Sequence, residues 1–554
     1  MLHTLAAGGV VAVGAPLHAA AATCGAATSL VVPARGGFLG RLRPSAGETV
    51  VLDAGRAGAL PRGIAHGPLA YRARRDGARF ANPTLVVRRG DRLRVRVVNG
   101  LDAPTTVHWH GLTVDTRNDG LLPLIEPGGA YEYAFEVRNR GGLYWFHPHP
   151  HGATAGQVHD GLFGLLDVED DEGIALRRAL DIAPGAGETT LVLQDRRSAG
   201  RYVRSPAAAI HGFFGEAMFV NGSACATLDV DTRIHRLRIV NACNARTLLL
   251  GLKTATGRAV PFHVIGNDGG LLAAPVRTTA AFLASAERLD VLVDLRDAAV
   301  GDALVLETRA FDPMHAEVDM PADGDADAGH AAAAGADPHA AHGAAAAAVD
   351  PHAAHRASAA AADPHAGHQH GGEPGAASWP EGTPRDLVTL RVRRHVRVDR
   401  DLPTSLSAPL AAIDTTDARE RPLRLGFKSG HWRINDRVFV MGETPIEVAR
   451  GSTEVWLLRN YHTSMPHAMH LHGFAFEVQE RETSPAQVAA LAVDARGRLA
   501  ADLGRKDTVL VWPGESVRVA IRFDLPFDGE QTYVFHCHNL EHEDGGMMLG
   551  VRVA

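Results

Sequence analysis

The sequence predicts an all-β protein of several β-sandwich domains, and three observations carry that expectation. Short runs rich in Val, Ile, Leu, Tyr and Phe recur along the chain, separated by Gly, Pro and Asn turns. Several of the runs alternate apolar and polar residues, the period of a half-buried strand. With 554 residues, 45% of them hydrophobic, the chain exceeds one core and can bury several. The net charge of −7 argues against nucleic-acid binding, and four Cys are too few for a disulfide scaffold.

In chain order, residues 1–30 are Ala/Gly-rich and apolar in short pieces, ending in small residues around Ala20-Ala-Ala-Thr23. This pattern predicts an export signal or a disordered leader, too broken by Gly and Pro for a membrane span, and hence a periplasmic or secreted protein. A basic start is missing, so the leader is expected to be incomplete, with the export route left open. Residues 46–170 are expected to form the first sandwich: Leu85-Val-Val-Arg-Arg-Gly-Asp-Arg-Leu-Arg-Val-Arg-Val-Val-Asn99 alternates apolar and basic residues like an exposed strand pair. Residues 186–310 form a second, with strand-like Arg236–Asn241 and Phe262–Gly266. Cys225 and Cys243 lie there, and either a disulfide between them or two buried thiols suits the spacing. From 311 to 383 the composition changes to Ala, Asp, Gly and His, and Asp337-Pro-His-Ala-Ala-His342 recurs at Asp350 and Asp363. Such a segment has too few large apolar groups for a core and reads as a flexible insert, either a collector of extra metal ions or a low-complexity expansion. Residues 384–554 complete the third sandwich.

The chemistry concentrates near the C-terminus, in Tyr533-Val-Phe-His-Cys-His-Asn-Leu-Glu-His-Glu-Asp-Gly-Gly-Met547. On a strand, successive side chains point to opposite faces, so Cys537 goes one way while His536 and His538 go the other. Two metal centres can then lie on either side of one strand, with His542 and Met547 folding back to the Cys537 side. A thiolate, imidazoles and a thioether suit copper cycling between Cu(I) and Cu(II). Taken alone, the cluster favours copper but leaves a structural zinc site, or chance among 30 His, as the lesser readings. Three further clusters narrow the choice: His108-Trp-His110, His147-Pro-His149 and His467-Ala-Met-His470-Leu-His472. Each holds an H-x-H pair whose members share a strand face. With His536 and His538 they make eight imidazoles in four pairs, leaving His467, Cys537, His542 and Met547 for a separate site. His151 and His159 read as surface residues or supports behind the ligands.

With these four motifs the chain resembles the multicopper oxidases, most closely the bacterial laccase-like copper-efflux (cuprous) oxidases, from about residue 46 onward apart from the His-rich insert. The resemblance implies three cupredoxin-like Greek-key sandwiches and four copper ions. It implies a type 1 copper on His467, Cys537, His542 and axial Met547, and a type 2 copper on His108 and His470. It further implies a type 3 pair, one ion on His110, His147 and His538, the other on His149, His472 and His536. Electrons from Cu(I) or a small phenolic reductant would enter at Cys537 and pass through the adjacent peptides, and four would reduce O2 to water. Asp119 and Glu543 match the acids that deliver protons in that family. Met465 matches a Met that touches substrate Cu(I), while Thr463 stands where those enzymes have an acid. The axial Met implies a type 1 potential low in the laccase range, favouring Cu(I) and methoxyphenols. The alternatives are a periplasmic copper-sequestering protein with incidental oxidase activity, and a relative like the cell-division proteins that keep the fold without copper.

Overall fold

A computed structural model describes residues 28–33, 36–58, 60, 64, 66–197, 202–316, 379–398 and 400–554. Most of the expected leader and the His-rich repeats lie outside the described residues; the leader's last residues belong to the fold, with Thr28–Ser29 pairing parallel to Ala226–Thr227. Among those described, the strands form six sheets, which pack face to face in three pairs.

In the first pair, a six-stranded sheet containing Arg92–Asn99 and Ala130–Glu136 packs on a five-stranded sheet. The alternation of Arg92–Asn99 is realised as expected: Leu93, Val95 and Val97 are buried while the intervening arginines are exposed. The five-stranded partner ends in His108–His110, which pairs antiparallel with Gly142–His147 so that His147 stands opposite His108. This register brings two of the His motifs to one sheet edge.

The second pair comprises two seven-stranded sheets. One of them recruits Arg385–Arg394, which hydrogen-bonds to Ala226–Asp231 and Ala303–Thr308. The expectation that residue 384 opens the third sandwich is therefore displaced: this strand crosses back to complete the second, and the third begins with Arg419–Lys428. Both ends of the expected insert are also part of the folded body. Phe311 packs against Phe282 and Trp512, and Trp379 is buried. Cys243 is a buried free thiol and Cys225 is disulfide-bonded, so the two are not joined to each other.

In the third pair, Gln531–Cys537 runs between His467–Leu471 and Met548–Val553. The pairing sets His470 opposite His536 and Met469 opposite Cys537. Tyr533, Phe535 and Cys537 face the third core together with Met465, Met469 and Met547. The intervening residues turn the other way, as the strand alternation predicts. Buried ion pairs join the three units: Arg238 to Asp167 between the second and first, and Arg288 to Asp507 between the second and third. No helix of the described residues is long and apolar enough to cross a membrane.

Candidate metal centre

Every His of the four motifs is buried, and their ligand atoms converge in groups. His110, His147 and His538 form one; His149, His472 and His536 form a second; His108 and His470 meet beside His110; and His467, Cys537 and His542 form a fourth. The first three meet where the first and third sandwiches face each other, and the fourth lies on the other side of Gln531–Cys537.

The spacing tests whether metal fits. Two nitrogens bound tetrahedrally at about 2.0–2.1 Å from one ion stand about 3.3–3.4 Å apart. The Nε2 pairs His108–His470, His149–His536 and His147–His538 are each 3.4 Å apart, and His472–His536 is 3.0 Å. A sulfur at about 2.3 Å and a nitrogen at about 2.0 Å on one ion stand about 3.5–3.7 Å apart. Cys537 Sγ lies 3.5 Å from His467 Nδ1 and 3.7 Å from His542 Nδ1. Both centres have the spacing of a metal polyhedron.

Electrostatics point the same way. Burial, then repulsion among neighbouring imidazoles, holds His108, His472, His536 and His538 well below the usual His range and brings His147 to about 3. The imidazoles are therefore neutral, the form that ligates. Burial pushes the Cys537 thiol up to about 12, so a cation must supply the stabilisation that makes it a thiolate.

The supports behind the ligands fix ring orientation. His108 Nδ1 contacts the Asp119 carbonyl at 2.8 Å, and His472 Nδ1 contacts Asp119 Oδ2 at 2.7 Å. Glu543 Oε2 is 3.3 Å from His536 Nδ1 and its Oε1 3.5 Å from His149 Nε2. Both acids are almost fully buried, and burial raises each well above the usual carboxyl range. Met547 is buried in the core with Cys537, and its carbonyl accepts from the Cys537 N–H at 3.0 Å. Met465 is 3% exposed and packs in that same core, while Thr463 is half-buried. His151 is exposed beside Phe439, but His159 is buried against Phe213 and Tyr202.

Several supports were not legible in the motifs. Asp507 Oδ1 lies 3.1 Å from His110 Nε2, its carbonyl accepts from His470 Nδ1 at 2.8 Å, and the Arg288 guanidinium clamps its carboxylate. Gly111 is required beneath that clamp: at φ +85°, a Cβ there would sit 2.4 Å from Asp507 Oδ2. At the sulfur centre, Trp432 packs on both His467 and His542 and donates Nε1–H to the Ile210 carbonyl at 2.8 Å. His542 Nε2 donates to the same carbonyl at 2.9 Å. Asn539 donates its N–H to Cys537 Sγ at 3.4 Å and caps Leu540–Asp544. The only sequence signal for Gly111 and Asn539 is proximity to a motif, and Asp507, Arg288, Trp432 and Ile210 lack even that.

Comparison with known proteins points to one family. Two family models, both described as multicopper oxidase, match residues 77–173 and 414–554. The multicopper oxidase mco of Staphylococcus aureus is 25% identical over 480 residues, covering 85% of this chain and 81% of that protein. A laccase of Bacillus subtilis is 26% identical over 523 residues, covering 85% and 88%. Among solved structures, the McoA multicopper oxidase of the hyperthermophile Aquifex aeolicus superposes with a TM-score of 0.75 at 28% identity, covering 95% of this chain and 99% of that one. With the family models at both ends, the cupredoxin-like sandwiches and the two His and Cys centres, the chain belongs to the multicopper oxidases, oxidoreductases that use O2 and carry type 1, type 2 and type 3 copper.

Proposed function

We propose that this enzyme is an exported cuprous and phenol oxidase serving copper tolerance. His467, Cys537, His542 and Met547 would hold the type 1 ion, and His108 with His470 the type 2 ion. His110, His147 and His538 hold one type 3 ion, and His149, His472 and His536 the other. Copper supplies one-electron acceptance at the first centre and four-electron reduction of O2 to water at the second. The observation that carries the reading is that His536 and Cys537 are adjacent on one strand and turn to opposite faces, with His538 the next residue beyond its end, so each imidazole is a few covalent bonds from the thiol.

The remaining residues orient, exclude water and handle protons. Asp119 holds His472 through Oδ2, and Glu543 stands beside His536 and His149; from those positions we assign them proton delivery. Asp507, clamped by Arg288, holds His110 and His470. Trp432 closes the sulfur centre against water. Met465 and the His-rich segment, which lies outside the described residues, are the sequence features that favour Cu(I) as reductant.

The test is an anaerobic-to-aerobic assay of the copper-loaded protein, following the visible spectrum and O2 uptake with Cu(I) and with a methoxyphenol. An intense blue band that bleaches under reductant and returns with O2 is expected, with the faster rate on Cu(I). A colourless protein that binds copper without consuming O2 would transfer the reading to copper sequestration. Deletion of residues 321–372 should lower copper affinity or slow Cu(I) oxidation if that segment collects metal.

A further inference from the structure

Residues 28–33 and 36–42 form a strap laced across two of the three units. At its start, Thr28–Ser29 pairs parallel with Ala226–Thr227 on the edge of a sheet in the second sandwich, and Leu30 enters that core. Further on, Gly37–Phe38 and Arg41–Leu42 pair with Phe80–Ala81 and Thr84–Leu85 of the first sandwich. Phe38 and Leu39 pack with Trp145 and Val240 in the core the two units share, and Trp145 in turn packs on His147 and His538. The strap therefore backs the wall of the O2 centre. Its first strand is two residues long, and so short a terminal strand frays unless something ties it down.

Cys225 lies at that start. Its carbonyl accepts from the Thr28 N–H at 3.4 Å, and the Thr28 hydroxyl donates to the Ala224 carbonyl at 2.7 Å. Cys225 is disulfide-bonded, while Cys243 and Cys537 are free thiols. The chain has four Cys, and the fourth is Cys24. We infer that Cys24, which lies outside the described residues, is the partner of Cys225, and that their disulfide staples the strap to the second sandwich in the mature protein.

The reach of the chain allows this bond. A disulfide needs Cα atoms about 4.4–6.8 Å apart, and from Thr28, which is hydrogen-bonded to Cys225, the chain back to Cys24 spans up to about 14 Å. Gly25-Ala26-Ala27 is thus long enough to bring the two sulfurs together with the strand pairing kept. Bond formation takes one electron and one proton from each thiol, and both electrons pass to the disulfide of a protein oxidant, which leaves as a dithiol. Compartments that sustain such an oxidant lie outside the cytosol, so the staple goes beyond the exported reading while agreeing with it. Two consequences follow for the leader. Its cleavage falls before Cys24, at the small residues Ala20-Ala-Ala-Thr23, and the Cys24 sulfur is committed to the bond rather than to a lipid. The bond closes a loop of about 200 residues, the long-loop limit in which a cross-link constrains the unfolded chain most.

The experiment isolates the copper-loaded full chain, strips the metal in denaturant with N-ethylmaleimide present, and digests it without reductant for mass spectrometry. The expected product is one cross-linked peptide pair carrying Cys24 and Cys225, two hydrogens lighter than the two thiol peptides together, with N-ethylmaleimide on Cys243 and Cys537. Alkylated Cys24 and Cys225, a Cys225 joined to any other residue, or a mature terminus beyond Cys24 would each overturn the staple. Cell fractionation scores the exported reading separately: a chain confined to the cytosol would overturn that reading, while the mass spectrum decides the staple in either compartment. Cys24→Ser and Cys225→Ser should both keep the blue band, and limited proteolysis should cut their strap about tenfold faster than the parent's. Cleavage at the parent's rate in both variants would overturn the claim that the bond holds the strap.

Discussion

Asp119 offers the sharpest perturbation of the O2 centre, because its two contacts are separable. Its side-chain Oδ2 holds His472, whereas its backbone carbonyl holds His108. Asp119→Ala removes the first contact and leaves the second. Leaving a buried donor without its acceptor costs about 1–3 kcal/mol, so loss of the contact that orients His472 should weaken metal retention in its group by about 5- to 150-fold. The assay counts copper per chain after dialysis against a graded chelator and follows O2 uptake. The blue band serves as the control for folding, since Asp119 touches none of His467, Cys537 or His542 among its described contacts. We expect the blue band to persist while one or more of the remaining coppers is lost and O2 uptake falls by the same order. Asp119→Asn, which keeps an oxygen acceptor, should retain more. Full copper content and O2 uptake within about threefold of the parent in Asp119→Ala would refute the claim that a carboxylate must orient His472.

Two further predictions concern stability and the sulfur centre. Burial raises the Glu188 carboxyl, but the Arg236, Arg238 and Arg177 guanidiniums outweigh it and bring it from 4.5 down to about 2. A depressed carboxyl stabilises the fold above pH 4.5 and loses that contribution as pH falls through about 2. In the apoprotein, Glu188→Gln should therefore be less stable near pH 6, and the gap to the parent should close by about 3 kcal/mol between pH 4.5 and 2. A gap independent of pH in guanidinium denaturation would contradict this. Gly212 has φ +89°, and a Cβ there would lie 2.4 Å from Asn539 Nδ2. Gly212→Ala should push Asn539 off Cys537 and His542, shifting the blue band and costing about 2 kcal/mol or more; an unchanged spectrum would show that Asn539 does not tune the thiolate.

The sandwich class and the alternation around Cys537 were legible in the amino-acid sequence because both rest on local periodicity, while the proposed ligand set was legible through the resemblance of the four His motifs to the multicopper oxidases. A strand repeats every two residues, so His108 and His110 share a face and Cys537 opposes His536, whereas His149, His472 and His538 lie just past the ends of their strands. Asp119 and Glu543 were legible because their positions relative to the His motifs match the acids of the copper-efflux oxidases. Only tertiary structure decided the rest, because it depends on contacts between residues far apart in the chain. Arg288 reaches Asp507 across 219 positions, and Arg385–Arg394 inserts between two strands of the second sandwich, Ala226–Asp231 and Ala303–Thr308. Cys243 is kept from Cys225 although the two are close in sequence. The Ile210 carbonyl, a backbone atom that any residue type could supply, becomes a shared acceptor for Trp432 and His542 only when the second and third units pack. Side-chain type and spacing specify which atoms can bind a metal; the packing of distant surfaces decides which atoms hold them in place.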